Sequence, residues 1–182
     1  MLRRIILVCL CIVGSAPSAM AQNQSLSIED IQLYYNEYAN IFNNTTIDLP
    51  KLETFLATRY MPAAVMTTAY TDNITKERRF YSHNAQEAAQ SVLVTAAKMT
   101  DMRSKIEFKF LEIADDGQTA TIRYLMHYHG NIRTQNTSGR TIDLPYKSIA
   151  GCAEWLDISN NPIRVKLSDC NVRTNFSHKV KD

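Results

Sequence analysis

Two histidines stand two positions apart, a spacing that could hold a metal ion. His127 and His129 flank Tyr128, and residues two apart on a β-strand share a face, so both imidazoles would project to one side. Such a pair can ligate zinc or copper when a third ligand approaches. The other histidines, His83 and His178, are not at ligand spacing. We therefore predict no metal site, and expect the pair to face solvent or an interface.

Acid–base catalysis would need an ionisable side chain inside a pocket, and Glu154 is the candidate. It lies two residues before Leu156 and four before Ile158 on a predicted strand, so it shares their apolar face and its carboxylate would point inward. The alternative is a glutamate at the rim of the sheet with its carboxylate in water, because unpaired glutamates are rarely buried. No nucleophile motif or phosphate-binding loop accompanies it. We assign no catalytic residue beyond this candidate, and we predict no cofactor.

Five residues could line a ligand pocket. Tyr34 and Tyr38 are at helical spacing, and Tyr124, Met126 and Tyr128 share the apolar face of a predicted strand. In a pocket, the tyrosines would offer hydroxyl groups to a ligand. The alternative is that they are core aromatics whose hydroxyl groups are already satisfied.

The elements that must position these residues begin with three amphipathic helices. Ser27, with Asp30 three residues on, predicts a helix start, after which apolar residues recur at helical spacing. Pro50 suits the first turn of a second helix, which Pro62 ends. Asn84 opens a capping box before the third helix. Between the second and third helices, short strands are predicted over residues 65–70 and 78–81.

The second half of the chain alternates apolar and polar residues and predicts four strands. A three-residue loop, Asp115-Asp116-Gly117, would close a hairpin between residues 105–113 and 119–129. The pairs expected on one apolar face are Phe110 with Ile122, Phe108 with Tyr124, and Ile106 with Met126. Residues 131–143 are polar and are predicted to form an exposed loop.

The last hairpin, residues 149–158 with 162–170, predicts a disulfide. A turn at residues 160–161 sets Cys152 opposite Asp169, one position from Cys170. Either a bulge between Leu167 and Cys170 or a three-residue loop would bring the cysteines face to face. An even pair in an oxidising compartment favours the bond over two separate buried thiols.

The N-terminus predicts export from a bacterial cell. Residues 1–21 have a basic start, an apolar run over residues 5–13, and Ala19-Met20-Ala21 before a cleavage point at Gln22. A retained anchor is the alternative, but the run is shorter than a spanning helix needs. We expect a periplasmic or secreted protein without a membrane anchor after cleavage, a single domain over residues 22–176, and a polar tail over residues 177–182.

Charge argues against two classes of partner. The chain has 20 basic and 18 acidic residues, and the signal removes Arg3 and Arg4, which leaves 18 of each. A neutral domain without a basic run favours neither nucleic acid nor an anionic membrane.

The element order predicts an α+β fold, with helices on one side of an antiparallel sheet. This order, the segment Thr58-Arg59-Tyr60-Met61-Pro62 leading into a strand, and the capped helix at Asn84 resemble the nuclear transport factor 2-like superfamily, which includes SnoaL-like domains. The resemblance implies a curved antiparallel sheet wrapped around three helices of the N-terminal half, a cone-shaped pocket, and frequent homodimers through the open sheet face.

The resemblance leaves several functions open. The absence of convergent ionisable groups favours an exported, non-catalytic binding or interaction domain that holds a small apolar ligand or an envelope protein. One alternative is a SnoaL-like enzyme acting on a small hydrophobic substrate, with Glu154 as general base and a tyrosine as donor. Another is a soluble subunit of an envelope secretion or conjugation assembly.

Overall fold

The computed structural model describes residues 26–136 and 138–176. The predicted signal peptide over residues 1–21, the predicted tail over residues 177–182 and His178 lie outside the described residues. Within them, no helix combines the length and the apolar character that crossing a membrane requires.

Three helices begin where their caps predict. They are α1 (Ile28–Ile41), α2 (Leu49–Arg59) and α3 (Ala85–Ala96). The Ser27 hydroxyl accepts the Asp30 amide at 3.2 Å while the Asp30 carboxylate accepts the Ser27 amide at 2.8 Å. Asn84 and Glu87 form the same reciprocal pair at the start of α3. Each arrangement satisfies amide groups that a helix N-terminus leaves without partners, so the predicted starts are confirmed.

Six strands form one sheet that lies against the helices. They are β1 (Tyr60–Asp72), β2 (Arg78–Asn84), β3 (Met99–Ile113), β4 (Thr119–Gln135), β5 (Thr141–Asp157) and β6 (Arg164–Phe176). Their order is β2-β1-β6-β5-β4-β3. The α+β fold is confirmed, but the sheet is mixed, because β1 and β6 run parallel while the other neighbours are antiparallel. Alternation predicts which face a residue occupies but not the direction of its neighbour, so the parallel pair was not predicted.

The predicted common apolar face of the C-terminal strands is confirmed. Tyr124, Leu156 and Val165 are buried in the main core, and Phe108 packs against it. Helix α1 packs on β3 and α3 packs on β1, which places the helical layer over this face. The register therefore fixes which side chains can reach a site between the helices and the sheet.

The predicted pairing of Phe110 with Ile122 is wrong. A bulge at Lys109 sets Phe110 opposite Arg123 and Leu111 opposite Ile122. The extra residue turns Phe110 to the outer face, where it is 42% exposed. There the Arg123 guanidinium lies 5.7 Å from the centroid of the ring.

The predicted loop over residues 131–143 is also wrong. Strands β4 and β5 continue through most of it, with Ile132 opposite Leu144 and Arg133 opposite Asp143. Arg133 Nε donates to an Asp143 carboxylate oxygen at 3.1 Å. Backbone hydrogen bonds between β4 and β5 and cross-strand side-chain pairs stabilise this extension of the two strands. Its polar composition therefore does not make it a loop.

The predicted disulfide between Cys152 and Cys170 is present. Leu156 pairs with Val165 and Trp155 with Leu167, so Lys166 is the extra residue of a bulge. The bulge was predicted between Leu167 and Cys170 and lies one residue earlier, at Lys166. It has the predicted effect of placing Cys152 directly opposite Cys170.

Candidate ligand-binding site

A cavity of about 510 Å³ lies between the helices and the inner face of the sheet. Side chains from α1, the end of α2, α3 and all six strands form its wall. The volume falls within the range of small-molecule sites in proteins, about 300 to 1,000 Å³. Four of the five predicted pocket residues line it, namely Tyr38, Tyr124, Met126 and Tyr128.

Tyr34, the fifth predicted pocket residue, is not on the cavity wall. Its ring stacks on Phe55 of α2 with the centroids 5.0 Å apart, and its hydroxyl accepts Arg59 Nη1 at 3.5 Å. Tyr34 and Tyr38 share one face of α1 and both stack on Phe55, but only Tyr38 lines the cavity.

Tyrosine dominates the wall of the cavity. Seven of the nine tyrosines of the chain line it: Tyr38, Tyr60, Tyr70, Tyr81, Tyr124, Tyr128 and Tyr146. Sequence reasoning missed Tyr60, Tyr70, Tyr81 and Tyr146, because the predicted strands were too short or the pairing was not known. Tyr70 lies four residues after Met66 on β1, and the predicted strand over residues 65–70 already held both, so the alternation of faces was a signal that could have found it.

Burial keeps the hydroxyl groups of four of these tyrosines protonated. It raises the pKa of Tyr38, Tyr124 and Tyr128 above the usual value near 10, because a buried phenolate loses its hydration. The same cause raises the pKa of Tyr60. The wall therefore presents neutral hydroxyl groups and ring surfaces across the physiological pH range.

A buried ion pair lies on the same wall. Arg59, the last residue of α2, is 1% exposed, and Glu154 of β5 is 2% exposed. Arg59 Nη2 lies 3.0 Å from Glu154 Oε1 and 2.8 Å from Oε2. Glu154 therefore points inward, as its parity predicts, and the rim alternative is wrong because Arg59 supplies the charge that makes burial tolerable.

The Glu154 carboxylate has a full set of donors. Besides Arg59, the Tyr35 hydroxyl donates to Oε2 and the Ser168 hydroxyl donates to Oε1 at 2.9 Å. A carboxylate has about four lone-pair sites, so these contacts occupy them. A general base must have an oxygen free to receive a proton from the substrate, and this arrangement opposes that role.

Aromatic rings surround the Arg59 guanidinium. Its Cζ lies 4.6 Å from the ring centroid of Tyr38, 5.1 Å from Tyr35 and 5.5 Å from Tyr60. Burial by itself disfavours the charged form, but Glu154 and the nearby tyrosine hydroxyl groups together outweigh it and raise the pKa of Arg59 well above its usual value. The Arg59 guanidinium therefore stays charged where it meets the Glu154 carboxylate.

One polar atom of this cluster is unsatisfied. Among the described residues, Arg59 Nε has no hydrogen-bond partner although it is buried. Sequence reasoning did not place Arg59 in the site, since lone arginines usually face water. A signal was available: Arg59 follows Leu52 and Leu56 at the i+7 and i+3 positions of the buried stripe of α2.

The histidine pair lies apart from the cavity. His127 and His129 have the parity of the outer face of β4, opposite to Tyr124 and Met126. His127 Nε2 is 3.8 Å from a carboxylate oxygen of Glu107. In the described part of the chain, no three histidine, cysteine, aspartate or glutamate side chains are placed to hold a metal together.

Comparison with known proteins finds similarity of fold to solved structures. No protein-family model matches this sequence, and no curated protein matches it. A solved structure from Kribbella flavida is similar at 10% identity and a TM-score of 0.50, over 82% of this chain and 90% of that one. The beta subunit of a benzoate 1,2-dioxygenase from Burkholderia mallei is similar at 15% identity and a TM-score of 0.46, over 82% and 92%.

A third similar structure is a nuclear transport factor 2-like protein of unknown function from Silicibacter pomeroyi. It has 11% identity and a TM-score of 0.42, over 80% of this chain and 95% of that one. The predicted resemblance is confirmed at the level of the fold: this chain has the nuclear transport factor 2-like fold. A shared fold does not fix a function, so the function of this chain is left open.

Proposed function

We propose that this chain is an exported, non-catalytic binding protein that holds a small, largely apolar ligand in the cavity. The observation that carries the proposal is the state of Glu154, whose carboxylate is buried and bonded to Arg59, Tyr35 and Ser168. An ionisable group so engaged shapes a pocket rather than exchanging protons with its contents. The rest of the wall, largely aromatic and aliphatic, suits an apolar guest.

Export is part of the proposal. The pattern of residues 1–21 supports it, and so does the bond between Cys152 and Cys170, since disulfides persist in oxidising compartments.

The enzyme alternative has two observations in its favour. Glu154 points inward, and it is bonded to the buried titratable groups of Arg59 and Tyr35, so the expected absence of convergent ionisable groups is wrong. The enzyme alternative would require the carboxylate to release Arg59 or Ser168 when substrate binds. If a turnover is found, a Glu154→Gln variant that retains it would end the role of Glu154 as general base.

Binding is tested with N-phenylnaphthylamine, an uncharged probe whose fluorescence rises in apolar pockets. An Ala150→Trp variant places an indole on the cavity wall, and an Ala153→Trp variant places the same group on the outer face of the same strand. We expect Ala150→Trp to weaken binding at least about tenfold and Ala153→Trp to leave it unchanged. No binding by the wild type, or equal effects of the two variants, would contradict the proposal.

Native mass spectrometry of protein purified from its own envelope provides a second test. A retained small molecule of fixed mass supports the proposal. A stoichiometric envelope protein without a small molecule favours the assembly-subunit alternative. A homodimer through the open sheet face remains a prediction, and the same spectrum reports it.

A further inference from the structure

We propose that copies of this chain associate head to tail, with the exposed face of α1 in one copy bound in a groove on the outer face of the sheet in the next. The inference concerns a surface outside the cavity, so it does not depend on the proposed binding function. Each interface uses two different surfaces, and such contacts build a ring or a filament rather than a closed two-fold dimer.

The outer face of the sheet carries exposed apolar side chains. The helical layer lies over the inner face and leaves the outer face uncovered. The register places six large apolar side chains on the outer face, and each is between 39% and 70% exposed. Apolar side chains that gather on one face mark an interaction site, whereas singly scattered ones need no explanation. The six are Val65, Phe80, Phe110, Ile149, Trp155 and Leu167.

A groove of about 810 Å³ crosses this outer face, and residues from all six strands line it. Small residues, namely Ala69, Gly151 and Ala153, form its floor. Phe80 of β2 lies towards one edge of the sheet, and Leu125 of β4 lies towards the other. Large side chains on both sides of a floor of small ones leave room for an elongated element, so the groove has the shape to receive one face of a helix.

Two arginines that line the groove, Arg78 and Arg123, form no salt bridge in the described part of the chain. Arg78 Cζ lies 4.6 Å from the ring centroid of Phe80, and Arg123 Cζ lies 5.7 Å from that of Phe110. The two cations therefore lie beside exposed rings on opposite sides of the groove. An occupant with apolar groups and free carboxylates would find a partner for both.

The groove has a net positive charge. Of the charged residues that line it, three are basic and one, Asp169, is acidic. The third basic residue, Lys109, is bonded to Glu107, so the excess comes from Arg78 and Arg123. A two-fold dimer through this face, which the family resemblance implies, would place one positive groove against another. The charge of the groove favours an acidic occupant instead.

The helical layer of the same chain is acidic. The three helices have five exposed acidic residues against one exposed basic residue, Lys51, because Arg59 is buried in its ion pair. Three of the five acidic residues are on α1, which has no basic residue. The chain therefore has two faces of opposite sign, although its basic and acidic residues nearly balance.

Helix α1 also has an exposed apolar side chain between two carboxylates. Glu29, Leu33 and Glu37 follow at intervals of four residues, so they share the solvent-facing side of α1. Leu33 is 69% exposed. This stripe of one apolar and two acidic side chains complements the apolar floor and the two arginines of the groove. A second copy of the chain therefore supplies both features that the groove selects.

Sedimentation velocity of the wild-type protein tests the association. In about 20 mM salt we expect species larger than a dimer, which grow with protein concentration. In about 500 mM salt we expect association to be at least about tenfold weaker, because salt screens exposed charges. A monomer at every concentration up to about 100 μM in low salt, or a dimer that does not grow, would overturn the inference.

Two double variants test the two surfaces, and all four positions are exposed. Arg78→Gln/Arg123→Gln neutralises the arginines of the groove, and Glu29→Gln/Glu37→Gln neutralises the stripe on α1. We expect each variant alone to associate at least about tenfold more weakly than the wild type in low salt. An equal mixture of the two should form a dimer that does not grow, because one variant brings an intact α1 and the other an intact groove.

Arg140→Gln is the control, since it removes an exposed positive charge between β4 and β5, outside both surfaces. It should leave the association unchanged. A two-fold dimer through the sheet predicts the opposite result for Arg78→Gln/Arg123→Gln, because loss of the arginines would relieve repulsion and strengthen association. That result, or a mixture that associates no better than either variant alone, would overturn the inference.

Discussion

Arg59, at the end of α2, and Glu154, in β5, bring opposite charges to 2.8 Å from each other across 95 positions of sequence. Both side chains are almost fully buried, so the pair joins the helical layer to the sheet where water cannot screen it. Because Tyr35 of α1 and Ser168 of β6 also bond to Glu154, four elements meet at one carboxylate.

Breaking this pair should destabilise the chain severely. An Arg59→Met variant leaves Glu154 buried without its cation, and we expect it to lower the free energy of unfolding by about 3–5 kcal/mol. Adding Glu154→Gln removes the uncompensated charge and should recover most of the loss. Urea unfolding measures both variants.

An exposed pair provides the matched control. Arg133 and Asp143 are 55% and 43% exposed, and Arg133→Met should change the free energy of unfolding by less than about 1 kcal/mol. Similar losses from Arg59→Met and Arg133→Met would contradict the importance of burial at Glu154.

The disulfide should contribute measurable stability. Cys152 and Cys170 are 18 residues apart, and closing such a loop stabilises a protein by about 3 kcal/mol in the chain-entropy model. We expect reductant to lower the melting temperature of the wild type. A Cys152→Ala/Cys170→Ala variant should melt at the reduced value and should not respond to reductant. Identical midpoints with and without reductant would show that the bond is absent in solution or does not stabilise the chain.

Alkaline pH should unfold the chain through its buried tyrosines. Burial raises the pKa of Tyr35, Tyr38, Tyr124 and Tyr128 in the folded state, whereas the unfolded value is near 10. Their stabilising effect is therefore complete below about pH 10 and is lost as pH rises towards the folded values, at about 1.4 kcal/mol per pH unit for each tyrosine.

Urea unfolding at a series of pH values, read beside tyrosinate absorbance, checks this expectation. A Tyr124→Phe variant removes one such group and should show a shallower loss of stability with pH. The expectation fails if these tyrosines ionise near pH 10 while the chain stays folded.

Gly130 should not tolerate a side chain. A Cβ atom there would lie 2.5 Å from Met102 Sδ and 2.9 Å from the Thr100 carbonyl oxygen, and the backbone cannot easily give way. We expect Gly130→Ala to cost about 1–3 kcal/mol of unfolding free energy. Gly151→Ala is the control, since its nearest neighbour is the flexible end of Leu125 at 3.3 Å. A larger loss at Gly151 would contradict the packing around Gly130.

Export should leave a defined N-terminus. We expect the mature protein, recovered from the periplasm or medium of a bacterial host, to begin at Gln22. Intact-mass measurement checks this. A protein that retains Met1 and sediments with membranes would contradict cleavage.

Much of the site was predictable from the period of two along the strands. Parity alone placed Tyr124, Met126 and Glu154 on the inner face, and the wall of the cavity bears this out. Residues near bulges were not predictable in this way, because an extra residue such as Lys109 or Lys166 inverts the parity of the residues after it. Bulges depend on local hydrogen bonding that the alternation of apolar residues does not encode.

The partner of Arg59 was not predictable from local sequence, although the buried stripe of α2 was a local signal that Arg59 itself is buried. Whether an arginine is buried depends on a partner that the fold brings to it, and Glu154 lies far along the chain from Arg59. Considered singly, each of these two charged residues suits water better than a protein interior. Only the pairing of β1 with β6, which brings the end of α2 to the middle of the sheet, makes the two charges neighbours.

The pairing of β1 with β6 also determines when the sheet can assemble during synthesis of the chain. Strand β6 is the last of the six described strands along the chain, yet it lies between β1 and β5 in the sheet. Until the ribosome releases it, β1 and β2 have no neighbour to join them to β3, β4 and β5, and apolar edges stay open. Contacts between such distant segments slow folding and lengthen the exposure of a nascent chain to aggregation. A stop codon before residue 164 would therefore split the sheet into β1–β2 and β3–β5, which the helical layer alone would hold together.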